Sequence, residues 1–318
     1  MINKKIDNCT YVRIVNNLLF CDIDGICYMN WEKTQIPVDT ILNSFGDKIF
    51  YYENECLYEV LPSGTILEKF KYEPSSYIEP IEDYYLVFNR ISRKEKNYKL
   101  TNNEKKVIWL DDVNWGYKII KNMLFLFEEN KVSKTRIEVK DFIWHFTIPK
   151  GFKIFGSVQF IDDVLFCIAY KDNHYQLVTG LDIETGTILY QNQYEVTNER
   201  KFISAHAYNP VDKLYYGLGD VYQIFNPKTG EIVLEKALNE CDSKVIRPYV
   251  NSMYENKLWF VSGKYDDVKF GCLDLDTQEV EFIQDFPQEN DEMFEAPIYH
   301  ENKLYLKGIH YNQLYVFE

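Results

Sequence analysis

Three pairs of neighbouring aspartates, Asp111-Asp112, Asp162-Asp163 and Asp266-Asp267, are the groups of this sequence best suited to acid–base chemistry. A glycosidase needs two carboxyl groups about 5–9 Å apart. Neighbouring residues on a strand point to opposite faces, so the two members of a pair do not meet this requirement. Acid–base catalysis would need carboxylates from different pairs to converge on one site.

Metal-binding and nucleophilic motifs are missing from the sequence. The histidines are His145, His174, His206, His300 and His310. They form no H-E-x-x-H motif, and no G-x-S-x-G motif occurs. The sequence therefore predicts no catalytic residue, no metal ligand and no cofactor.

A run from Asp285 to Phe294 interleaves carboxylates with aromatic residues, which is typical of a contact that combines an apolar anchor with charge. Further acidic residues fall in other long connections. The predicted partner-binding residues are Asp285, Phe286, Glu289, Asp291, Glu292, Phe294, Glu240, Asp242, Glu199 and Trp115.

The chain is acidic, with 318 residues and a net charge of −14. Nucleic acids and anionic membranes attract basic surfaces, so this charge argues against both as partners. A basic protein would be attracted by the same field, and its association would be accelerated. The expected partner is another protein of basic character.

Eight copies of one short phrase place these residues in a repeat. A pair of turn residues, usually Asn, Asp or Lys, precedes a run of aliphatic and aromatic residues, as in Asn16-Asn17-Leu18-Leu19-Phe20 and Asn302-Lys303-Leu304-Tyr305-Leu306. The third residues of successive copies lie 31, 36, 38, 41, 50, 44 and 46 residues apart. A period near ~40 in a strand-patterned chain predicts the four-stranded blades of a β-propeller.

The fifth unit shows the predicted strands most clearly, at 153–160, 164–170, 175–182 and 187–193. Its last two strands flank the phrase Leu181-Asp182-Ile183-Glu184-Thr185-Gly186, which resembles the repeat of the PQQ-like (quinoprotein-like) propellers. Weaker copies occur at 224–233 and 273–277. The resemblance implies the fold and no quinone chemistry. Tyr190 and aliphatic residues replace the tryptophan that this family usually has on its outer strand.

The number of blades follows from how the chain closes. Three strands are predicted in the last unit, at 294–299, 303–308 and 313–317, and the segment 2–7 is the simplest fourth strand. Pairing of the two ends removes an open sheet edge. The sequence therefore predicts an all-β, eight-bladed propeller of antiparallel blades in one domain, 1–318, with seven blades as the alternative.

Long connections are predicted on one face of the propeller. They are 90–97, 128–133, 194–200, 239–244 and 285–292, and all join strands b to c or one blade to the next. Function tends to lie on long loops held by a rigid scaffold. This face is the predicted binding surface.

The cell compartment is predicted from the cysteines and the N-terminus. The seven cysteines form no C-x-x-C pair and several lie within apolar strands, which favours buried free thiols. The first residues show no signal-peptide pattern. A cytoplasmic location is expected.

Two functions are consistent with these patterns. The favoured one is a non-catalytic protein-binding module, more narrowly a bacterial immunity or inhibitor protein that neutralises a basic toxin or effector. The alternative is an enzyme acting on a carbohydrate or other small polar substrate in the central funnel, with Trp31, Trp115 and Trp144 as stacking platforms. A funnel with converging carboxylates would favour the enzyme, and an acidic, aromatic loop face would favour the binding module.

Overall fold

The computed structural model describes most of the chain. The described residues are 4–37, 42–45, 47–53, 56–71, 76–81, 84–90, 96–102, 106–111, 116–120, 123–136, 139, 141–172, 174–196, 207–218, 221–238, 248–263, 268–286 and 292–318. These residues form strands and turns and contain no helix. No membrane-spanning helix is therefore found in this part of the chain.

Eight four-stranded antiparallel sheets form the blades of a β-propeller, which confirms the predicted fold class and blade number. The first four blades are β2 (Cys9–Val15), β3 (Leu18–Ile23), β4 (Ile26–Met29) and β5 (Glu32–Lys33); β6 (Leu42–Phe45), β7 (Lys48–Glu53), β8 (Cys56–Val60) and β9 (Ile66–Lys71); β10 (Ser76–Ile81), β11 (Tyr84–Arg90), β12 (Lys96–Asn102) and β13 (Val107–Asp111); and β14 (Gly116–Ile120), β15 (Met123–Glu128), β16 (Lys131–Arg136) and β17 (Phe142–Thr147).

The other four blades complete the set. They are β18 (Lys153–Ile161), β19 (Val164–Lys171), β20 (Tyr175–Asp182) and β21 (Ile188–Glu195); β22 (Ala207–Asn209), β23 (Leu214–Leu218), β24 (Tyr222–Asn226) and β25 (Glu231–Lys236); β26 (Pro248–Tyr254), β27 (Lys257–Ser262), β28 (Lys269–Asp274) and β29 (Glu279–Asp285); and β30 (Ile298–His300), β31 (Lys303–Lys307), β32 (Leu314–Phe317) and β1 (Lys4–Ile6). We call the strands of each blade a to d in this order.

The repeated phrase of the sequence corresponds to the turn from strand a to strand b. In every blade the aliphatic and aromatic run of the phrase forms strand b. Asn17, Asp162 and Asn302 have positive φ values of 60°, 52° and 61° in these turns. Asn and Asp tolerate this region better than most residues do, because their short polar side chains bond locally.

The last blade is closed by the two ends of the chain, as predicted. Lys4, Lys5 and Ile6 of β1 pair antiparallel with Val316, Tyr315 and Leu314 of β32. The predicted first strand of this blade was wrong in its extent. It begins only at Ile298, and Phe294 forms an isolated bridge to Gly308.

The described part of the chain divides into two compact units. The first contains Met1–Lys33, Asn173–Gln176 and Tyr190–Glu318, and the second contains Thr34–Asp172 and Leu177–Leu189. Blade 5 contributes residues to both units. The predicted single domain, 1–318, stays a prediction.

Within the first unit, apolar clusters lie between successive blades. Between blades 7 and 8 the cluster is built from Val261, Val268, Phe270, Phe286, Phe294, Leu304, Leu306, Tyr315 and Phe317. Blades 6 and 7 share a second cluster around Tyr222 and Phe260. In the second unit, Leu86, Leu100, Leu124 and Leu126 pack between blades 3 and 4. Burial of these side chains at ~25 cal/mol per Å² of apolar surface is the main force that holds the blades together.

Turns between strands c and d dock against the preceding blade. In blade 5, Oδ1 of Asp182 accepts hydrogen bonds from the backbone of Glu184 and Thr185, at 3.1 and 2.7 Å. The turn ends at Gly186, whose φ of 71° and close approach to the ring of Trp144 both require glycine. Nε1 of Trp144 donates to the carbonyl of Ile183 at 3.3 Å.

The same docking recurs in the first unit. The hydroxyl of Tyr190 donates to the carbonyl of Pro227 at 2.5 Å, and Nδ2 of Asn192 donates to the carbonyl of Gly230 at 2.8 Å. In the next blade, Nζ of Lys236 donates to the carbonyl of Gln278 at 3.1 Å. Tyr190 lies on strand d of blade 5. In blade 4, the strand-d residue that packs on the next turn is a tryptophan, Trp144.

Candidate functional site

The predicted acidic run precedes β30, and a second connection of blade 8 lies between β31 and β32. Strand β31 ends at Lys307 and β32 begins at Leu314, and the six residues between them form what we call the 308–313 loop. The run itself connects β29 to β30, so both segments lie on the face where strands d meet strands a and strands b meet strands c. Residues 287–291 of the run lie outside the described residues.

Glu292 is the centre of this site. Its side chain is 2% exposed, although carboxylates are almost never buried without partners. Oε1 accepts hydrogen bonds from the backbone N–H of Met293 at 2.9 Å and of His310 at 2.8 Å. Oε2 accepts one from the N–H of Tyr311 at 3.1 Å. Three charge-assisted hydrogen bonds offset much of the cost of burying the carboxylate.

Gly308 leaves room for this carboxylate. A Cβ on Gly308 would lie 2.4 Å from Oε2 of Glu292, so a larger residue at this position would displace the carboxylate from its hydrogen bonds. The imidazole Nδ1 of His310 is 3.7 Å from Oε1 of the same glutamate, which gives a weak ionic contact when the ring is protonated.

The opposite side of the loop is fixed by a buried lysine. Lys307 is 2% exposed, and its Nζ donates to the carbonyl of Gly308 and, at 3.3 Å, to Oδ1 of Asn312. The carbonyl of Asn312 accepts the N–H of Cys9 at 2.6 Å. Burial raises the pKa of the Cys9 thiol to about 11, and the charge of Lys307 opposes this shift. Cys9 is therefore a packing residue and not a reactive thiolate.

Two large apolar side chains project from this fixed loop. Ile309 is 46% exposed and Tyr311 is 47% exposed, and His310 lies between them. An exposed aliphatic and aromatic pair on a rigid loop can enter a partner's pocket with little loss of conformational entropy.

The ten predicted residues fall into four groups, of which the structure describes three. Asp285 is exposed at the end of β29, with Oδ1 2.6 Å from Nζ of Lys269. Phe286 and Phe294 are 5% and 0% exposed, and their ring centroids are 4.6 Å apart. Both rings belong to the core between blades 7 and 8 and present no free surface.

Glu292, as described, supports the 308–313 loop from beneath. The remaining predicted residues lie outside the described part of the chain and are Glu199, Glu240, Asp242, Glu289, Asp291 and Trp115. The binding role of the ten residues stays a prediction.

Sequence reasoning missed the 308–313 loop. The sequence did contain a signal for it. Ile309 and Tyr311 lie between Gly308 and Asn312, in a turn segment where polar residues are usual. Another expectation was wrong as well: 128–133 is not a long connection, since only Glu129 and Asn130 separate β15 from β16.

The tryptophans proposed as sugar platforms are placed differently. Trp144 is 8% exposed and packs on Gly186, so it has no face free for a sugar ring. Trp31 is 37% exposed, and Nζ of Lys4 lies 5.4 Å from its ring centroid. Among the described residues, no group of three His, Cys, Asp or Glu side chains is arranged to hold a metal ion.

Comparison with solved structures supports the fold. BamB from Moraxella catarrhalis has a TM-score of 0.59 and 12% identity, with 99% of this chain and 96% of that chain covered. Saccharomyces cerevisiae Sqt1 has a TM-score of 0.59 and 10% identity, over 99% and 97% of the two chains. A europium-containing methanol dehydrogenase has a TM-score of 0.53 and 11% identity, over 96% and 84%.

These likenesses confirm the resemblance to quinoprotein-type propellers at the level of the fold. No family model and no curated protein matches the chain. At these identities, the comparisons support the fold and give no information about activity.

Proposed function

We propose that this chain is a non-catalytic, protein-binding β-propeller that contacts its partner through the 308–313 loop and the acidic run before β30. The observation that carries the proposal is the exposed pair Ile309 and Tyr311 on a loop held by the buried carboxylate of Glu292. A loop that is ordered before binding loses little entropy in the complex.

The proposed partner is a basic protein. The net charge of −14 attracts such a partner over a distance of about a Debye length, ~10 Å at 0.1 M salt. The acidic residues Glu289 and Asp291 precede Glu292 in sequence, and Glu292 accepts hydrogen bonds from the backbone of His310 and Tyr311 beside the apolar pair. Charge would accelerate association, and the apolar pair would slow dissociation.

The narrower proposal is a cytoplasmic bacterial immunity or inhibitor protein that neutralises a basic toxin or effector. The six cysteines within the described residues are buried free thiols, which fits a reducing compartment. The abundance of Asn, Lys, Ile and Tyr is typical of an AT-rich bacterial gene. This step rests on composition and charge, and the loop proposal stands without it.

The apolar pair is tested by replacing it. The full chain is used to capture a partner from its native cells, and the binding kinetics of the captured protein are then measured. We expect the double variant Ile309→Ala, Tyr311→Ala to weaken binding at least ~10-fold, mainly through faster dissociation. The matched control is Val211→Ala, which removes an 88% exposed apolar side chain from an a-to-b turn and should bind as the wild type does. Equal weakening by both variants, or by neither, would contradict the proposal.

The charge contribution is tested separately. Replacement of Glu289 and Asp291 by alanine should slow association at low salt and flatten its salt dependence, with the melting temperature unchanged. Glu292 is kept, because it holds the loop. An association rate equal to that of the wild type at low salt would show that these two carboxylates do not attract the partner.

A further inference from the structure

Blades 4 and 5 enclose a cleft of about 420 Å³ at the end where their a-to-b and c-to-d turns lie. One wall is formed by the end of β14 and the start of β15 in blade 4, and the other wall by the two turns of blade 5. All of its lining residues belong to the second compact unit. The volume is within the range of specific ligand sites, ~300–1,000 Å³.

The turns of blade 5 are held in place beside this cleft. The N–H of Ile183 donates to the carbonyl of Asp163 at 2.9 Å, which joins the c-to-d turn to the a-to-b turn. The carbonyl of Ile183 accepts the hydrogen bond from Nε1 of Trp144. Asp182 caps the backbone of Glu184 in the same turn. A cleft with walls fixed in this way is largely formed before a ligand arrives.

A buried lysine positions one carboxylate at the cleft. Nζ of Lys134 donates to Oε2 of Glu184 at 2.7 Å, and the two side chains are 2% and 76% exposed. The ring centroid of Phe125 lies 5.8 Å from this Nζ. Phe125 and Lys134 are both buried, so they form the bottom of the cleft and leave the contact with a ligand to other residues.

The side chains that remain accessible in the cleft include three apolar ones. Ile120, Met123 and Ile183 line the cleft and are half-buried. An aliphatic chain placed against them would remove apolar surface from water on both sides. The unbranched thioether of Met123 can adapt its shape to such a chain.

The charge of the lining favours a cation. Three carboxylates line the cleft, those of Asp162, Asp163 and Glu184, and Lys134 is the single cation among the lining residues that the structure describes. Asp162 and Asp163 are exposed at the rim. A ligand that combines a positive charge with an aliphatic chain would complement both the rim and the apolar walls.

We propose that this cleft binds an organic cation that carries an ammonium group on a short aliphatic chain. The chain lies against Ile120, Met123 and Ile183, and the ammonium group lies beside the carboxylates of Asp162 and Asp163. Charge recognition does not need the two carboxylates to converge on one atom, as acid–base catalysis does. The cleft lies at a-to-b and c-to-d turns, whereas the 308–313 loop is a b-to-c connection, and neither proposal depends on the other.

The test titrates hexylammonium chloride into the full-length protein with isotopically labelled methionine methyl groups, followed by NMR. The five methionines are at positions 1, 29, 123, 253 and 293. We expect a saturable shift of the Met123 resonance, identified by its loss in Met123→Leu, and no shift for Met29 and Met253. Affinity should rise ~3-fold per methylene from propylammonium to hexylammonium, because each methylene buries more apolar surface.

The aspartates are tested by an isosteric change. The double variant Asp162→Asn, Asp163→Asn should bind hexylammonium at least ~5-fold more weakly. Asparagine tolerates the φ of 52° at position 162, so the turn is kept. The matched control is Asp172→Asn, Asp276→Asn, which removes two exposed aspartates from other turns and should bind as the wild type does. Equal weakening by both double variants would assign the attraction to the net charge of the protein and overturn the proposal.

A free amine and a lysine side chain of a polypeptide both supply this chemistry. N-acetyl-lysine methylamide distinguishes them, because it carries the same aliphatic ammonium group on a peptide backbone. Binding of this compound at least as tightly as pentylammonium would support the proposal with a polypeptide as the source. Binding of the alkylammonium ions without it would support the proposal with a free amine as the source.

Three further results would overturn the proposal. The first is the absence of a saturable shift at Met123 with millimolar hexylammonium. The second is equal affinity for hexanol, which has the same chain without the charge. The third is saturable binding of hexanoate at Met123, which would show that the cleft selects the chain and not the cation. None of these results bears on the 308–313 loop, which is tested with the captured partner.

Discussion

The boundary between blades 5 and 6 and the boundary between blades 7 and 8 carry equivalent residues in different surroundings. At the first, Tyr190 and Asn192 hold the turn that ends at Gly230. At the second, Phe282 and Gln284 line a cleft of about 320 Å³. Closure by the two chain ends removes an exposed sheet edge.

Deletion of residues 1–7 should change the stability of the protein more than any other variant considered below. It removes β1, exposes the edge of β32, and leaves blade 8 with three strands. We expect the melting temperature to fall by more than ~5 °C, or the protein to aggregate. Deletion of residues 1–3 alone leaves β1 in place and is the matched control, with an expected change within ~2 °C. Identical melting curves for both truncations would show that β1 does not contribute to closure.

The packing between blades 5 and 6 can be disrupted by a substitution at Gly230. A Cβ at this position would lie 2.2 Å from the ring of Tyr190, and the residue has a φ of 72°. We expect Gly230→Ala to lower the free energy of unfolding by about 2–4 kcal/mol, measured by denaturant titration.

Gly25→Ala is the control for backbone strain. Gly25 has a φ of 73° with no atom within 4 Å of its hypothetical Cβ, so its substitution should cost only about 1 kcal/mol. If the two variants lost the same free energy of unfolding, the close contact between position 230 and Tyr190 would not contribute to stability.

A reciprocal exchange of one hydroxyl compares the two boundaries directly. Tyr190→Phe removes the hydrogen bond to the carbonyl of Pro227 and should cost about 0.5–1.5 kcal/mol. Phe282→Tyr adds a hydroxyl at the open cleft and should change stability by less than ~0.5 kcal/mol. Thermal unfolding of both variants measures the difference, and a larger cost for Phe282→Tyr than for Tyr190→Phe would show that the cleft is packed as tightly as the turn site.

The smallest expected effect is a dependence of stability on pH, which arises from the aspartates of two c-to-d turns. Hydrogen bonds from the side chain and backbone of Thr185 lower the pKa of Asp182, and those from Thr277 lower the pKa of Asp274. A carboxyl whose pKa is lower in the folded state stabilises the fold above its unfolded pKa, about 4, and loses this contribution as the pH falls through the folded value.

Replacement of both aspartates by asparagine should therefore reduce the fall of the melting temperature between pH 6 and pH 3. The melting temperature near pH 7 should be slightly lower than that of the wild type, since the cap is weaker. An unchanged slope on the acid side would mean that these two caps do not contribute to acid unfolding.

Much of the fold was predictable because its signals are local. The turn before Leu18 and the turn before Val164 need only their own Asn and Asp residues to adopt positive φ, and the following aliphatic run then forms strand b. Closure was also predictable, since a three-stranded last unit requires a fourth strand. The start of β30 was misjudged because Pro297 has no N–H for the ladder, and regular pairing begins only after it.

The site was less predictable because it depends on contacts between distant residues. Nothing near Glu292 in the sequence indicates that its carboxylate accepts the N–H groups of His310 and Tyr311, 18 and 19 residues away. Burial of Phe286 and Phe294 likewise depends on Tyr315 and Phe317 of another strand. The packing of Trp144 on the turn that ends at Gly186 could not be assigned from the sequence, because the turn of its own blade lacks the Thr-Gly signal that gives the register in blade 5.

The pairing of β1 with β32 has a consequence for how the protein is made. The two strands are separated by roughly three hundred residues, although they lie side by side in one sheet. A ribosome adds ~5–20 residues per second, so about 15–60 s pass between synthesis of the two strands. During this time β1 has no partner strand, and blade 8 becomes complete only after β32 has been synthesised. Chaperones that bind a nascent chain would therefore find Lys4–Ile6 accessible until β32 emerges.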